Sequence, residues 1–198
     1  PATCKESYSS MIGKRVASVR YRQSFVLNLS CLMEGPLTTE IYRPLYRTVS
    51  ARLVKKEVQK IRSLIQQHLS GDTVDVIGFC QAAEDFSGSF PVEVKTGFTA
   101  VIDSYRQDLI PLALSEVASG EKEINLSNFQ NEYSTALGKR WASSSLRQIN
   151  SIAHAEAAAG NNPAEALKER LSEWEENKSE KITLNESIRA EGAFSKAV

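Results

Sequence analysis

Apolar side chains recur at helical spacing along nearly the whole chain, and this pattern limits the fold more than any other feature. The steps are three, four and seven residues over 8–33 and 37–69, and again over 94–112 and 127–159. Such steps place side chains on one face of a helix. We therefore expect an all-α protein, an elongated bundle of about six amphipathic helices with little or no strand.

Glycines and prolines indicate where these helices are interrupted. Gly35 and Pro36 separate the first two patterns. Pro44 falls inside the second one, so its first turns are expected to be kinked or to form a separate short helix. Residues 72–91 are the least regular, and both a short buried helix and a strand stay open for them. The run 86–91 is expected to be a connection.

The clearest local signal is a helix start at Asn162-Pro163-Ala164-Glu165. Asn162 is expected to accept a hydrogen bond from a first-turn amide, and Pro163 suits the first helical position because it has no N–H to leave unpaired. Glu165 is expected to return the reciprocal bond. The charged run 173–181 in this helix is expected to be a solvated face.

Charge is distributed unevenly, although the 24 basic and 24 acidic residues balance. Residues 1–70 hold 12 Lys and Arg against 4 Asp and Glu, and the remainder is acidic by the same margin. A basic region of this kind is suited to binding nucleic acid or an acidic protein partner. The residues expected to form this partner- or DNA-binding face are Lys14, Arg15, Arg20, Arg22, Arg43, Arg47, Arg52, Lys55 and Lys56. Two alternatives stay open: a solvated helix surface, and two halves that neutralise each other by packing together.

Motifs of known chemistry are absent from the sequence. It has no phosphate-binding glycine loop, no serine-hydrolase elbow and no zinc-protease helix. Cys4, Cys31 and Cys80 lack metal-binding spacing, and His68 and His154 have no partner at a ligating or catalytic distance along the chain. We therefore expect no catalytic residue, no metal, no cofactor and no enzymatic activity.

Two further features concern packing and domain organisation. Trp141 and Trp174 lie on apolar faces and are expected to be packing or interface residues. No stretch approaches the roughly 18 apolar residues of a membrane span, so we expect no membrane partner. We divide the chain into a basic helical region, 1–88, and a second helical region, 89–198, with one continuous bundle as the alternative.

The last third has an ordered pattern of its own. A long helical segment through 141–149 is followed by Gly160, a short segment at 163–171 and a final stretch at 181–194. This order resembles the phage Mu F-like (MuF) minor head protein family, also called phage head morphogenesis proteins. The resemblance covers 137–198, about a third of the chain.

Single positions carry the resemblance in the final stretch. Ile182 and Glu186 fall on the family's Ile and Glu, and Ala190 falls on its following Ala. Leu184 and Asn185 stand where the family has Arg and Thr. The downstream part of the family pattern, with its Trp, Asp, His and Cys residues, is missing.

The resemblance implies a structural role. The chain would be a minor head protein of a tailed phage, oligomeric in the particle and bound to the portal or the major capsid protein. It would lie in the head interior of the virion, near packaged DNA, and in the host cytoplasm during assembly. Because the helical pattern stops in mid-course at Val198, a fragment or processed form is expected. The alternative is a free-standing all-α adaptor or regulator of a bacterial cell, dimeric through helices such as 127–159.

Overall fold

The computed structural model describes residues 37–71, 74–116 and 127–197. Four helices are formed: α1 (Leu37–Leu69), α2 (Val76–Glu116), α3 (Ser127–Ala158) and α4 (Ala164–Ala197). Within these ranges every regular element is a helix, which confirms the all-α prediction. The described residues form four helices, where about six were predicted for the whole chain, and the helix predicted at 8–33 lies outside them.

The connection predicted at 86–91 is wrong. Helix α2 begins at Val76 and runs through 86–91, which is neither a connection nor a strand. Phe86 and Phe90, one turn apart, hold their rings 5.0 Å apart, and Phe90 is 1% exposed. Burial of such rings outweighs the local preference of Pro91. Likewise, α4 is one helix where the sequence indicated two stretches.

The ends of α1 and α2 follow from local signals. Pro44 lies within α1, which is a single helix, and α1 ends at Leu69, two residues before Gly71. Asp75 caps α2, because the Gly78 amide donates to its Oδ1 at 2.8 Å. This backbone hydrogen bond, the largest of several influences, lowers the pKa of Asp75.

Consecutive helices run antiparallel. Between α1 and α2, the Tyr46 and Phe98 ring centroids lie 5.6 Å apart, and Lys56 forms an ion pair with Glu93 at 2.6 Å. Along this seam the residue numbers on α2 therefore fall as those on α1 rise, so the two helices run in opposite directions. Contacts across the other seams follow the same opposite order. The helices thus form an up-down-up-down four-helix bundle.

Large apolar side chains fill the space between the helices. The largest fully buried ones are Tyr46, Ile61, Ile65, Leu69, Phe79, Phe90, Phe98, Ile102, Leu137 and Leu167. Trp141 packs edge-on against Phe90, with ring centroids 6.1 Å apart. Trp141 and Trp174 are 5% and 4% exposed, so both side chains are part of this core.

The predicted start of α4 is confirmed. The Ala164 amide donates to Asn162 Oδ1 at 2.9 Å. Asn162 Nδ2 also donates to the Leu69 carbonyl at 2.9 Å, so one side chain serves the end of α1 and the start of α4. The Glu165 carboxylate does not return the expected bond, because it pairs with Lys168 at 2.7 Å.

Contacts divide the chain into two units, Pro1–Ile41 and Tyr42–Val198. The division at residue 88 inferred from the sequence stays a prediction, as does one continuous bundle, and α2 crosses that position without a break. No helix in the described part of the chain is long and apolar enough to cross a membrane.

Candidate functional site

The predicted basic face is described only where it lies on α1. Four of its members are outside the described residues: Lys14, Arg15, Arg20 and Arg22. Five others lie on α1: Arg43, Arg47, Arg52, Lys55 and Lys56. All of these α1 residues except the half-buried Arg43 are exposed.

Two of the α1 cations are held by acidic residues of neighbouring helices. Arg47 Nε lies 3.2 Å from Glu180 on α4, and Lys56 Nζ lies 2.6 Å from Glu93 on α2. These side chains are solvated, so the pairs contribute little to stability. They match the alternative in which basic and acidic parts of the chain neutralise each other by packing.

Arg52 and Lys55 differ from these paired cations. Both are exposed, and neither forms an ion pair with the described residues. They lie three residues apart on α1, which places them side by side on one helix surface. Of the predicted face, this pair is the part that α1 leaves open to a partner.

A second cationic surface lies between α3 and α4, where the helices are separated by a groove of about 600 Å³. We call it the α3–α4 groove. Its cationic lining residues are Arg140, Arg170, Lys178, Lys181 and Arg189. Glu173 and Glu186 are its acidic ones, and Trp141 and Trp174 border its inner side.

Lys178 is the innermost cation of the α3–α4 groove. Its Nζ lies 2.6 Å from Glu57 Oε2 of α1 and 2.7 Å from Ser145 Oγ of α3. It also lies 3.4 Å from the centroid of the Trp174 ring, a cation–π contact. Trp141 Nε1 donates to the same Glu57 oxygen at 3.0 Å. This cluster therefore joins α1, α3 and α4 through one ammonium group.

Burial governs the energetics of this ion pair. The side chains of Glu57 and Lys178 are 1% and 13% exposed. Burial lowers the pKa of Lys178, and the neighbouring Glu57 carboxylate opposes that shift. Removing one partner of such a pair leaves a buried charge without compensation. We therefore assign Lys178 to holding the bundle together, although it lines the groove.

A second polar cluster surrounds Glu186. Its Oε2 accepts hydrogen bonds from the Tyr133 hydroxyl and from Arg140, each at 2.9 Å, and its Oε1 accepts one from Arg189 at 3.0 Å. Burial first, and then the Glu186 carboxylate, raise the pKa of Tyr133, so the phenol stays protonated and donates. The cluster fixes both arginines at the edge of the groove.

The remaining cations lie along the rim. Arg170 binds the carboxylate of Glu173 and the amide oxygen of Gln148. Lys181 is exposed and forms no ion pair with the described residues. Five cations and two acids line the groove. Glu57 lies behind the lining and compensates one further positive charge, that of Lys178. Arginine forks bind carboxylate and phosphate in two-point fashion, so the groove suits an anionic ligand.

Residues singled out by the family resemblance lie in or beside this groove. Ile182 is half-buried in its lining and Glu186 is buried in its polar cluster, whereas Ala190 is fully buried one turn further along α4. Trp141 and Trp174 complete the set. The structure thus brings together sequence-predicted residues that are up to 49 positions apart in the printed sequence.

Sequence reasoning missed Glu57 and Lys178. Lys178 falls in the run 173–181, where the other charged side chains are exposed as expected, but Lys178 itself is only 13% exposed. A signal did exist, because Glu57 lies three residues after Val54 and four before Ile61, on the apolar side of α1. An acid on such a face requires a buried partner.

The described cysteine lies beside one histidine, and the other histidine lies beside an aspartate. Cys80 Sγ lies 3.9 Å from His154 Nε2, and burial, then Glu84, raise the pKa of this thiol. A protonated thiol is a poor nucleophile. His68 instead lies 3.4 Å from Asp75. The described residues contain no group of three or more metal-ligating side chains.

No known protein family, curated protein or solved structure matches this chain. The resemblance to the MuF family stays a prediction from the sequence. The basic surface of α1 and the α3–α4 groove are therefore the structural features that bear on function.

Proposed function

We propose that this protein is a structural minor head protein of a tailed phage, associated with the portal and acting in head morphogenesis by binding and not by catalysis. The observation that carries the proposal is the exposed basic surface of α1 around Arg52 and Lys55. It continues the positive excess of residues 1–70. The resemblance over 137–198 supports the same role.

The basic surface of α1 suits a partner that presents many negative charges. DNA carries about one phosphate charge per 1.7 Å of duplex, and an acidic portal surface offers a similar field. We propose contact with the portal or major capsid protein in an oligomer, and non-specific contact with packaged DNA. The place of action is the phage head interior, and the host cytoplasm during assembly.

The first test is the assembly state. Light scattering is measured on the protein alone and on its mixture with the portal protein encoded beside it in the same genome. Co-elution at a defined stoichiometry is the expected result. A stable small dimer that ignores the portal protein would remove the head-protein proposal.

The second test concerns DNA. Fluorescence anisotropy with a labelled 20-base-pair duplex is expected to show binding that weakens steeply between 50 and 200 mM salt, because neutralised phosphates release counterions. The double variant Arg52→Glu/Lys55→Glu is expected to weaken binding at least tenfold. Lys139→Glu, a charge reversal at an exposed position of α3, is the control. Salt-insensitive binding would contradict the DNA contact.

A second candidate function is a free-standing dimeric adaptor. The observation in its favour is an exposed apolar pair on α4, Leu184 at 46% and Ile188 at 56% exposure, one turn apart. Exposed apolar surface of this kind favours self-association. Light scattering of the double variant Leu184→Ser/Ile188→Ser distinguishes the two functions. A dimeric adaptor is expected to become monomeric, whereas a head protein is expected to retain its complex with the portal protein.

A further inference from the structure

The α3–α4 groove has the dimensions of a site for one face of a helix. On the α4 side its lining runs from Arg170 to Arg189, about 28 Å at the helical rise, or about five turns. On both helices, the residues that line the groove recur every three or four positions. A volume of about 600 Å³ does not hold a whole helix about 10 Å across, but it accepts the side chains that project from one.

Charge narrows the class of ligand. The outer cations, Lys181 and Arg189 of α4 and Arg140 of α3, lie towards one end of the groove, where Ile182 adds a half-buried apolar side chain. A ligand that combines carboxylates with an apolar row satisfies both. Arg140 and Arg189 are already oriented by Glu186, so little side-chain entropy is lost when they bind.

We propose that the α3–α4 groove binds an acidic amphipathic helix of a partner protein, in the manner of helix-in-groove recognition. The apolar side chains of that helix lie over Ile182, and its carboxylates bind Arg140, Lys181 and Arg189. The inference does not depend on the phage assignment, because it rests only on the lining of the groove.

A nucleic-acid backbone fits the same groove less well. Glu173 and Glu186 lie among the cations of the lining, and an unbroken row of phosphates brings negative charge against both. A peptide helix has no such row, since it can place neutral or basic side chains opposite the two glutamates. The half-buried side chain of Ile182 also contributes nothing to phosphate binding.

The two tryptophans of the chain make the test direct. Trp141 and Trp174 are the only ones in the sequence, and both border the groove, so their emission reports its occupancy. The probe is a 21-residue amphipathic helix peptide with a leucine row flanked by glutamates. Its counterpart has every glutamate replaced by glutamine, and single-stranded dT20 is the nucleic-acid probe. Only the acidic peptide is expected to shift the tryptophan emission at saturating, low-salt concentrations.

Variants locate the binding. Lys181→Glu/Arg189→Glu is expected to weaken the acidic peptide at least tenfold, while Arg52→Glu/Lys55→Glu, the same charge change on α1, leaves its affinity unchanged. Far-UV circular dichroism confirms that each variant retains its helices, and Lys181→Glu alone keeps the test valid if the double variant unfolds.

Three results overturn the inference. They are an acidic peptide that does not shift the emission, equal affinity for the glutamate and glutamine peptides, and binding that the groove variant does not weaken. Displacement of the peptide from the groove by dT20 would assign the site to nucleic acid instead. The DNA test above uses α1 variants and the portal test uses the unmodified protein, whereas the groove test uses α4 variants, so failure of one proposal leaves the other distinguishable.

Discussion

In its middle part, helix α3 packs against α2 through a glycine and aromatic rings, whereas it meets α4 through charged groups. Towards α2, a Cβ added at Gly138 would lie only 2.5 Å from the Pro91 carbonyl oxygen, so the two backbones nearly touch there. Towards α4, Glu186 and its hydrogen-bond donors occupy one stretch of the seam and Lys178 another. The groove lies on this second side alone.

The difference shows what kind of side chain sets the distance between two helices. A glycine removes the only atoms that keep backbones apart, and aromatic rings then fill the space on either side. Charged side chains need hydrogen-bond partners, and long ones such as Lys178 and Arg140 reach them without close backbone approach. The α3–α4 seam thus stays open to a ligand, while the α2–α3 seam does not.

The largest expected effect lies in the close-packed seam. Phe90→Ala is expected to lower the free energy of unfolding by about 3–5 kcal/mol, because it removes a ring that is fully buried and leaves a cavity. Chemical denaturation measures the loss. Val92→Ala, at a 66% exposed position of the same helix, should change stability by less than about 0.5 kcal/mol. Similar losses for both would mean that α2 and α3 are not packed as described.

The buried ion pair of the open seam comes next. Glu57→Gln is expected to cost about 3 kcal/mol, since it leaves the Lys178 ammonium buried without a countercharge. Adding Lys178→Met should restore much of the loss, which identifies the cost as an unpaired charge. Arg62→Ala breaks an exposed pair with Glu175 and is the control, expected to cost less than about 1 kcal/mol. A thermal unfolding measurement in which Arg62→Ala destabilises the protein more than Glu57→Gln would contradict this assignment.

A smaller effect tests the close approach itself. Gly138→Ala is expected to cost about 2 kcal/mol, because the new methyl group forces α2 and α3 apart. Gly88→Ala places the same methyl group on α2 where no atom lies within 4 Å, and it should stabilise by about 0.5–1 kcal/mol through helix propensity. Urea denaturation measures the change in the free energy of unfolding for each variant. Changes of opposite sign support the close approach of the two backbones, and changes of the same sign argue against it.

The smallest effect depends on pH. Tyr133→Phe removes the hydroxyl bound to Glu186 and is expected to cost about 1 kcal/mol at neutral pH. The raised pKa of Tyr133 means that the folded state keeps the proton which the unfolded chain releases near pH 10. The wild-type advantage is therefore complete below pH 10 and is lost as pH rises above it.

Urea denaturation of wild type and Tyr133→Phe between pH 8 and 11 measures this difference. Lys178 has a lowered pKa, which contributes a pH dependence of the opposite sign, but that group is common to both proteins and cancels. A wild-type advantage that stays constant across the range would contradict the raised pKa of Tyr133.

Local features of the fold were predictable and non-local ones were not. The apolar spacing of α1 and α3 and the cap at Asn162 depend on neighbours within a few residues, and all three appear as expected. The continuity of α2 through Pro91 depends instead on rings from other helices. Glu57 and Lys178 are 121 positions apart, so no local pattern pairs them.

The candidate site divides along the same line. The resemblance drew attention to Ile182 and Glu186, and apolar faces drew attention to Trp141 and Trp174, all of which line the groove. The groove itself was not predicted, because its width depends on how far α3 and α4 stand apart. That distance is set by side chains on both helices together, and a single segment does not reveal it.

The bond from Asn162 to Leu69 bears on how long the bundle survives once folded. It joins residues 93 positions apart, and because closing so long a loop costs entropy, we expect this bond to form late in folding. An interaction that is absent from the folding transition state leaves the folding rate unchanged and slows unfolding. We therefore expect Asn162 to prolong the lifetime of the folded protein and to leave its folding rate unchanged.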